Sequence, residues 1–162
     1  MKKILFLLLL AAFILAACSC GADQGTGSQT PAASPKAPAD MDAVLTSFGL
    51  EETMLVLTRE EILFIYGFED ADLKQASAAI HESGIQCDEF VLVEAVSEQA
   101  ADRVEELLGL RLKQKENEMR DYLPEQYDII TKCSVYRDGL YTALIVSPQA
   151  ESFTKLFKEA IG

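Results

Sequence analysis

His81 is the only histidine in the chain, so any device in which an imidazole draws a proton from a nucleophile has to be built on it. Cys87 and Cys133 are the thiols such a device would activate, and Asp88 is the acid that would orient the ring. The plainer expectation puts His81 at a strand end beside a turn, with Asp88 facing water. The same histidine and thiols could ligate a metal, but they lack a fourth ligand and the short paired spacings of zinc motifs. Cys87 and Cys133 stay open to two readings: a disulfide, which an extracytoplasmic address permits, or two buried apolar thiols, which is preferred.

The 26 acidic residues include Glu51-Glu52, Glu60-Glu61, Asp70/Asp72 and Glu105-Glu106. Acid–base chemistry needs a cleft that shifts one carboxyl's pKa, and a calcium loop needs alternating acidic residues around a glycine. The sequence has neither pattern, so these pairs read as solvated helix faces. No catalytic residue, metal or cofactor is expected. In Lys113-Gln114-Lys115-Glu116, Glu116 and Arg120 form an i, i+4 pair of stabilising polarity. Tyr122, just before Leu123-Pro124, is the one aromatic with two roles in view: packing where a long helix turns back, or recognition at the surface.

The chain opens Met1-Lys2-Lys3, continues apolar from Ile4 to Ala17 and reaches Leu15-Ala16-Ala17-Cys18. At ~1.5 Å per residue that run spans roughly 21 Å, short of about 30 Å of hydrocarbon. Basic start, apolar middle and small residues at the end make residues 1–17 an export signal, with Lys2 and Lys3 held inside. Leu15, Ala16, Ala17 and Cys18 resemble the lipobox of bacterial lipoproteins. That resemblance implies lipid on the Cys18 thiol and cleavage between Ala17 and Cys18. Two or more acyl chains make a stable anchor, since each buried CH₂ contributes about 0.8 kcal/mol. The expected address is the outer face of the bacterial cytoplasmic membrane, reached through the lipid on Cys18.

The formal net charge is −12, and removing Lys2 and Lys3 with the signal makes the balance more acidic. Such a surface repels nucleic-acid phosphate and anionic headgroups, so nucleic acid is not an expected partner. Residues 18–40 are rich in Gly, Ser, Thr, Ala and Pro and too poor in apolar surface to offset their ordering entropy. They read as a flexible tether, with a reach of roughly 25 Å. Gly25-x-Gly27 within it has no strand before it and no helix after it, so it is not a phosphate cradle.

A single domain is expected over 41–162. Met41 to Phe48 carries apolar residues at helical spacing and stops at Gly49. Thr58-Arg59-Glu60-Glu61 is a capping box, and Ile62 to Tyr66 continues it to a stop at Gly67. Leu73 to Glu82 is ambiguous between helix and strand. Asp88 to Val96 reads as a well-buried strand. After an N-cap at Ser97, Ala101, Val104, Leu108, Leu112, Lys115, Met119 and Tyr122 mark a helix of about 25 residues from Glu98, which Pro124 ends. Ile129 to Tyr136 reads as a strand, Arg137-Asp138-Gly139 as a hairpin turn, and Leu140 to Val146 as the returning strand. Phe153, Leu156, Phe157, Ala160 and Ile161 stripe a closing helix. The fold class is therefore α+β: an antiparallel sheet of about four strands packed against one long helix, with short N-terminal helices and a C-terminal helix.

Tyr66-Gly67, Asp88-Glu89-Phe90-Val91, Ala100-Ala101, Arg120-Asp121-Tyr122-Leu123-Pro124-Glu125 and Leu144-Ile145-Val146-Ser147 resemble an uncharacterised family of small lipoproteins from clostridia-like Gram-positive bacteria. The resemblance implies that Leu73 to Glu82 is a strand paired with Phe90 to Val96, against the helix preference of its alanines. It brings no catalytic residues with it. The expected role is non-catalytic: a membrane-tethered module that binds an envelope protein or a small ligand. An enzyme acting on wall or peptide material is the alternative, and a subunit of a transporter or signalling complex is a third reading.

Overall fold

The computed structural model describes residues 38–162; the stretch read as an export signal, Cys18, and the stretch read as a tether as far as residue 37 lie outside the described residues. Five strands form one antiparallel sheet in the order β1-β2-β3-β5-β4: β1 (Met54–Val56), β2 (Leu73–His81), β3 (Glu89–Ala95), β4 (Val135–Asp138) and β5 (Tyr141–Val146). The sheet has one strand more than the sequence suggests, because β1 is only three residues long and two of them are exposed. So short a run carries no periodicity to read.

Helices cover both faces. On one side lie α2 (Arg59–Tyr66), the long α3 (Glu98–Met119) and α4 (Pro124–Ile130), whose Ile62, Val104, Leu108, Leu112 and Ile130 meet Val91, Val93, Leu144 and Val146 of the sheet. On the other lie α1 (Met41–Ser47) and α5 (Ala150–Ile161), which bring Val44, Leu45 and Phe157 against Phe90, Leu92, Ala143 and Ile145. The central strand β3 is buried at every position. That explains why Phe90 to Val93 reads as a continuous apolar run rather than an alternation. Fully burying each large side chain of this kind contributes roughly 1.5–3 kcal/mol.

Local signals set most element ends. Asp40 caps α1 through bonds to the N–H groups of Asp42 and Ala43. The Thr58–Glu61 capping box is complete, and Gly67 closes α2 at φ 70°, a left-handed conformation that costs glycine little. Ser97 caps α3, and Gly139, at φ 54°, makes the β4–β5 turn.

β2 is a strand, as the family resemblance implies and its alanines alone do not. Residues 75–80 run in regular register against β3, and Ala78 and Ala79 are fully buried. Tertiary pairing overrides propensity here, and the small side chains let helices on both faces approach closely.

The segment after α3 corrects the sequence reading. Ile129 and Ile130 belong to α4, not to a strand, and β4 begins only at Val135. Leu123 before Pro124 is indeed non-helical, at φ −136° and ψ 68°, but Pro124 also opens α4 at the first position, where a missing N–H costs nothing. The long helix ends earlier than expected, at Met119. Tyr122 is 84% exposed, so the packing role is ruled out in favour of a surface position.

Candidate binding site

Ionic contacts fix α3 to the sheet along its whole length. Near its start, Arg137 of β4 reaches Glu98, Asp102 and Glu105, which sit at i, i+4 and i+7. One turn on, Arg103 holds Asp72 with two hydrogen bonds. Toward its end, Arg111 and Lys115, four apart on one face, converge on Glu89 at the head of β3. Arg111 donates to both carboxylate oxygens at 2.9 Å, and Lys115 Nζ donates to Oε2 at 2.7 Å.

Glu89 has no exposed surface. Burial pushes its carboxyl up, but the Arg111 hydrogen bonds and the charges of Lys115 and Arg111 outweigh that and hold it below the ordinary glutamate range. Tyr66 is buried beside this group, and its Oη has no hydrogen-bond partner among the described residues. Burial, reinforced by the Glu89 charge, pushes the phenol far above its usual range. With both oxygens of Glu89 on cations, the set is built to hold elements together rather than to move a proton.

Glu89, Arg111 and Lys115 are the residues that sequence reasoning did not single out. The signal was available: Lys115 occupies a position in the apolar stripe of α3, and Glu89 opens a strand whose next four residues are apolar. A charged residue where the pattern demands an apolar one is seldom buried without a partner.

Of the residues proposed for chemistry, Cys87, Asp88 and Cys133 lie near one another, with the Asp88 charge acting on both thiols, and His81 is engaged structurally. His81 ends β2, where Nδ1 accepts from the Ser83 N–H at 2.9 Å; its backbone N–H donates to the Asp88 carbonyl at 3.0 Å. Cys87 and Cys133 are free thiols. Burial, aided by Asp88, raises the Cys87 thiol to about 11 against the opposing pull of Lys115. Burial also raises Cys133, whose Sγ donates to the Ile129 carbonyl at 3.3 Å. Thiols shifted upward are poor nucleophiles at neutral pH. Among the described residues, no three His, Cys, Asp or Glu side chains form a metal-holding group.

Of the carboxylates, Glu51, Glu52, Glu60 and Glu106 are exposed as expected. Asp72 is not: it is buried in a single 3₁₀ turn (Asp70–Asp72), and the hydrogen bond from Arg103 holds it below the usual range. Arg120 turns its guanidinium over the Tyr127 ring, 5.7 Å from its centre.

Two of the concavities among the described residues bear on a binding role. One, of about 360 Å³, lies against Tyr122, Ile85 and Pro124. The other, of about 800 Å³, is bounded by α1, the loop at Gly49–Glu51, β1 and the outer edge of β2. Its wall carries Leu45, Met54 and Val56, and Asp40, Asp42 and Glu51 stand around it. The last rung between β1 and β2 runs from the Leu57 N–H to the Ala78 carbonyl at 2.9 Å, after which the chain leaves into α2. Because backbone groups alternate along a strand, Ala76 points its N–H and C=O to the same side as Ala78, into this groove. Among the described residues no strand covers it there.

A model of a domain of unknown function, DUF4358, matches residues 47–147, which takes in the whole sheet and α2 through α4. No curated protein and no solved structure matches the chain. The chain thus belongs to the DUF4358 family.

Proposed function

We propose that the protein is a lipoprotein, anchored through Cys18 to the outer face of a bacterial cytoplasmic membrane, and that its domain is a non-catalytic binding module for an extended segment of an envelope protein. The lipoprotein and clostridial affiliation rests on the N-terminal sequence and the motifs around β3, α3 and β5. The observation that carries the binding role is the α1–β1–β2 groove, which offers apolar wall, acidic rim and an uncovered strand edge in one place. A segment pairing with Ala76 would gain main-chain hydrogen bonds, the mode by which sheet edges take peptides, and the acidic rim favours one bearing positive charge. The buried carboxylates Asp72, Glu89 and Glu94 each carry their own cation, which supports a role without acid–base chemistry.

The anchor is tested by metabolic labelling with fatty acid. Cys18→Ser is expected to leave an unlabelled, full-length or slowly processed precursor; a labelled variant would move the site to Cys20 or elsewhere. For the binding role, hydrolysis of wall or peptide material by the purified protein, lost in His81→Ala, would contradict the reading.

A further inference from the structure

We propose that the protein has a second site, distinct from the α1–β1–β2 groove, that binds a phosphate-type anion between α5 and the turn leading into β4. This concavity, of about 620 Å³, is lined by Lys132, Lys155 and Lys158 together with the hydroxyl-bearing Ser134, Ser152 and Thr154.

The chain is strongly acidic, and among the described residues six of the eleven lysines and arginines sit close on carboxylates. Arg59, Lys74, Arg103, Arg111, Lys115 and Arg137 each sit on at least one. Of the other five, Lys113 and Arg120 stand apart on or just after α3, and the remaining three gather in this groove. Lys132 and Lys158 make no ion pair among the described residues, and Lys155 reaches Glu159 only at 3.9 Å, with both side chains largely exposed. Such a pair contributes little. Lys158 places Nζ over the Tyr136 ring, 4.4 Å from its centre, so its charge is steadied by a π face and stays available to an anion. Glu151 also lines the groove and opposes the lysines, which leaves the positive charge in excess. The first turn of α5 adds to it, because Gln149 supplies no side-chain cap to the N–H groups there.

Packing does not call for these lysines. Phe157 of the same helix is fully buried, whereas Lys155 and Lys158 stand exposed on the outer flank. The donor set also selects the ligand class. A planar carboxylate is best met by an arginine fork, and none lines this groove. Three ammonium groups and three hydroxyls suit the several acceptor oxygens of a phosphate group. That chemistry is offered both by lipid headgroups and by free or polymeric phosphate.

The test is lysine footprinting of the full-length chain in neutral detergent, with acetylation rates read residue by residue by mass spectrometry and Lys113 on α3 as internal reference. With sodium tripolyphosphate as probe, acetylation of Lys132, Lys155 and Lys158 should slow by about tenfold at roughly ten times the dissociation constant, since only the unliganded form reacts. Lys113 should not change, and Lys132→Gln should reduce the protection of Lys155 and Lys158. Vesicles of phosphatidylcholine with or without phosphatidylglycerol separate the sources. Protection in phosphatidylglycerol vesicles without tripolyphosphate assigns the headgroup, and protection by tripolyphosphate alone assigns free or polymeric phosphate. Equal slowing by sodium chloride at matched ionic strength, equal slowing at Lys113, protection from neither source, or undiminished protection in Lys132→Gln would overturn the proposal.

Discussion

The two faces of the sheet adhere to their helices by different means. Toward α3 the contact combines an apolar stripe with three sets of ion pairs, the innermost of which, Glu89 with Arg111 and Lys115, is buried. Toward α1 and α5 the contact is aromatic: Phe48, Phe90 and Phe153 pack with ring centres 5.1–6.0 Å apart, and Phe157 sits edge-on to Tyr136. The polar group on that second face, Glu94, lies at its margin, where Lys74 and Gln75 bind it and Gln75 also takes the Met41 N–H at the start of α1. A buried ion set fixes register, because displacing α3 would strand charges. Aromatic packing tolerates adjustment, and the proposed binding groove opens beside α1, on the more tolerant side.

The largest expected effect comes from breaking the ionic face. Glu89→Ala leaves Arg111 and Lys115 buried without their anion and should cost about 3–5 kcal/mol in chemical denaturation. Replacing all three by apolar residues of similar size should recover most of that loss, and a failure to recover would mean that the set does more than hold the fold. Its pH dependence has a definite direction. Glu89 is held below its unfolded value, so its contribution is complete above roughly pH 4.3 and is lost as the pH falls through the lower, folded value. Glu89→Gln should therefore show a shallower loss of stability in acid than the wild type.

On the aromatic face the effect should be smaller. Ile145→Val removes one buried methylene and should cost about 1 kcal/mol, with the same value at neutral and mildly acidic pH. A pH-dependent cost there would blur the distinction between the faces. The smallest effect should come from Thr142→Val. Its Oγ1 is buried with no hydrogen-bond partner among the described residues, so the substitution should be neutral or stabilising by at most about 1 kcal/mol.

Where a signal was local, the sequence was readable. The capping box at Thr58, the stop at Gly67, the Asp138-Gly139 turn and the apolar runs of β3 and β5 were legible because each depends on residues a few positions apart. What failed depended on the rest of the molecule. The α4 segment carries Tyr127, Ile129 and Ile130, which serve a strand or a helix equally well until α3 packs against them. The alanines of β2 favour helix until β3 pairs with them, and the family resemblance, not their own pattern, placed them correctly. The candidate groove was not legible at all, because it joins α1, β1 and β2 across more than thirty positions of chain, where no spacing rule applies. For Glu89 and Lys115 the anomaly was visible but its partners were not.

The binding role is tested most directly by site-specific photo-crosslinking of the full-length protein in intact cells. Crosslinkers at Thr46 and Val56, which line the α1–β1–β2 groove, are compared with one at Glu106, exposed on α3. The account predicts a single envelope protein captured from Thr46 and Val56 and lost from Glu106. Capture that is equal from all three positions, or absent from the two groove positions, would contradict it.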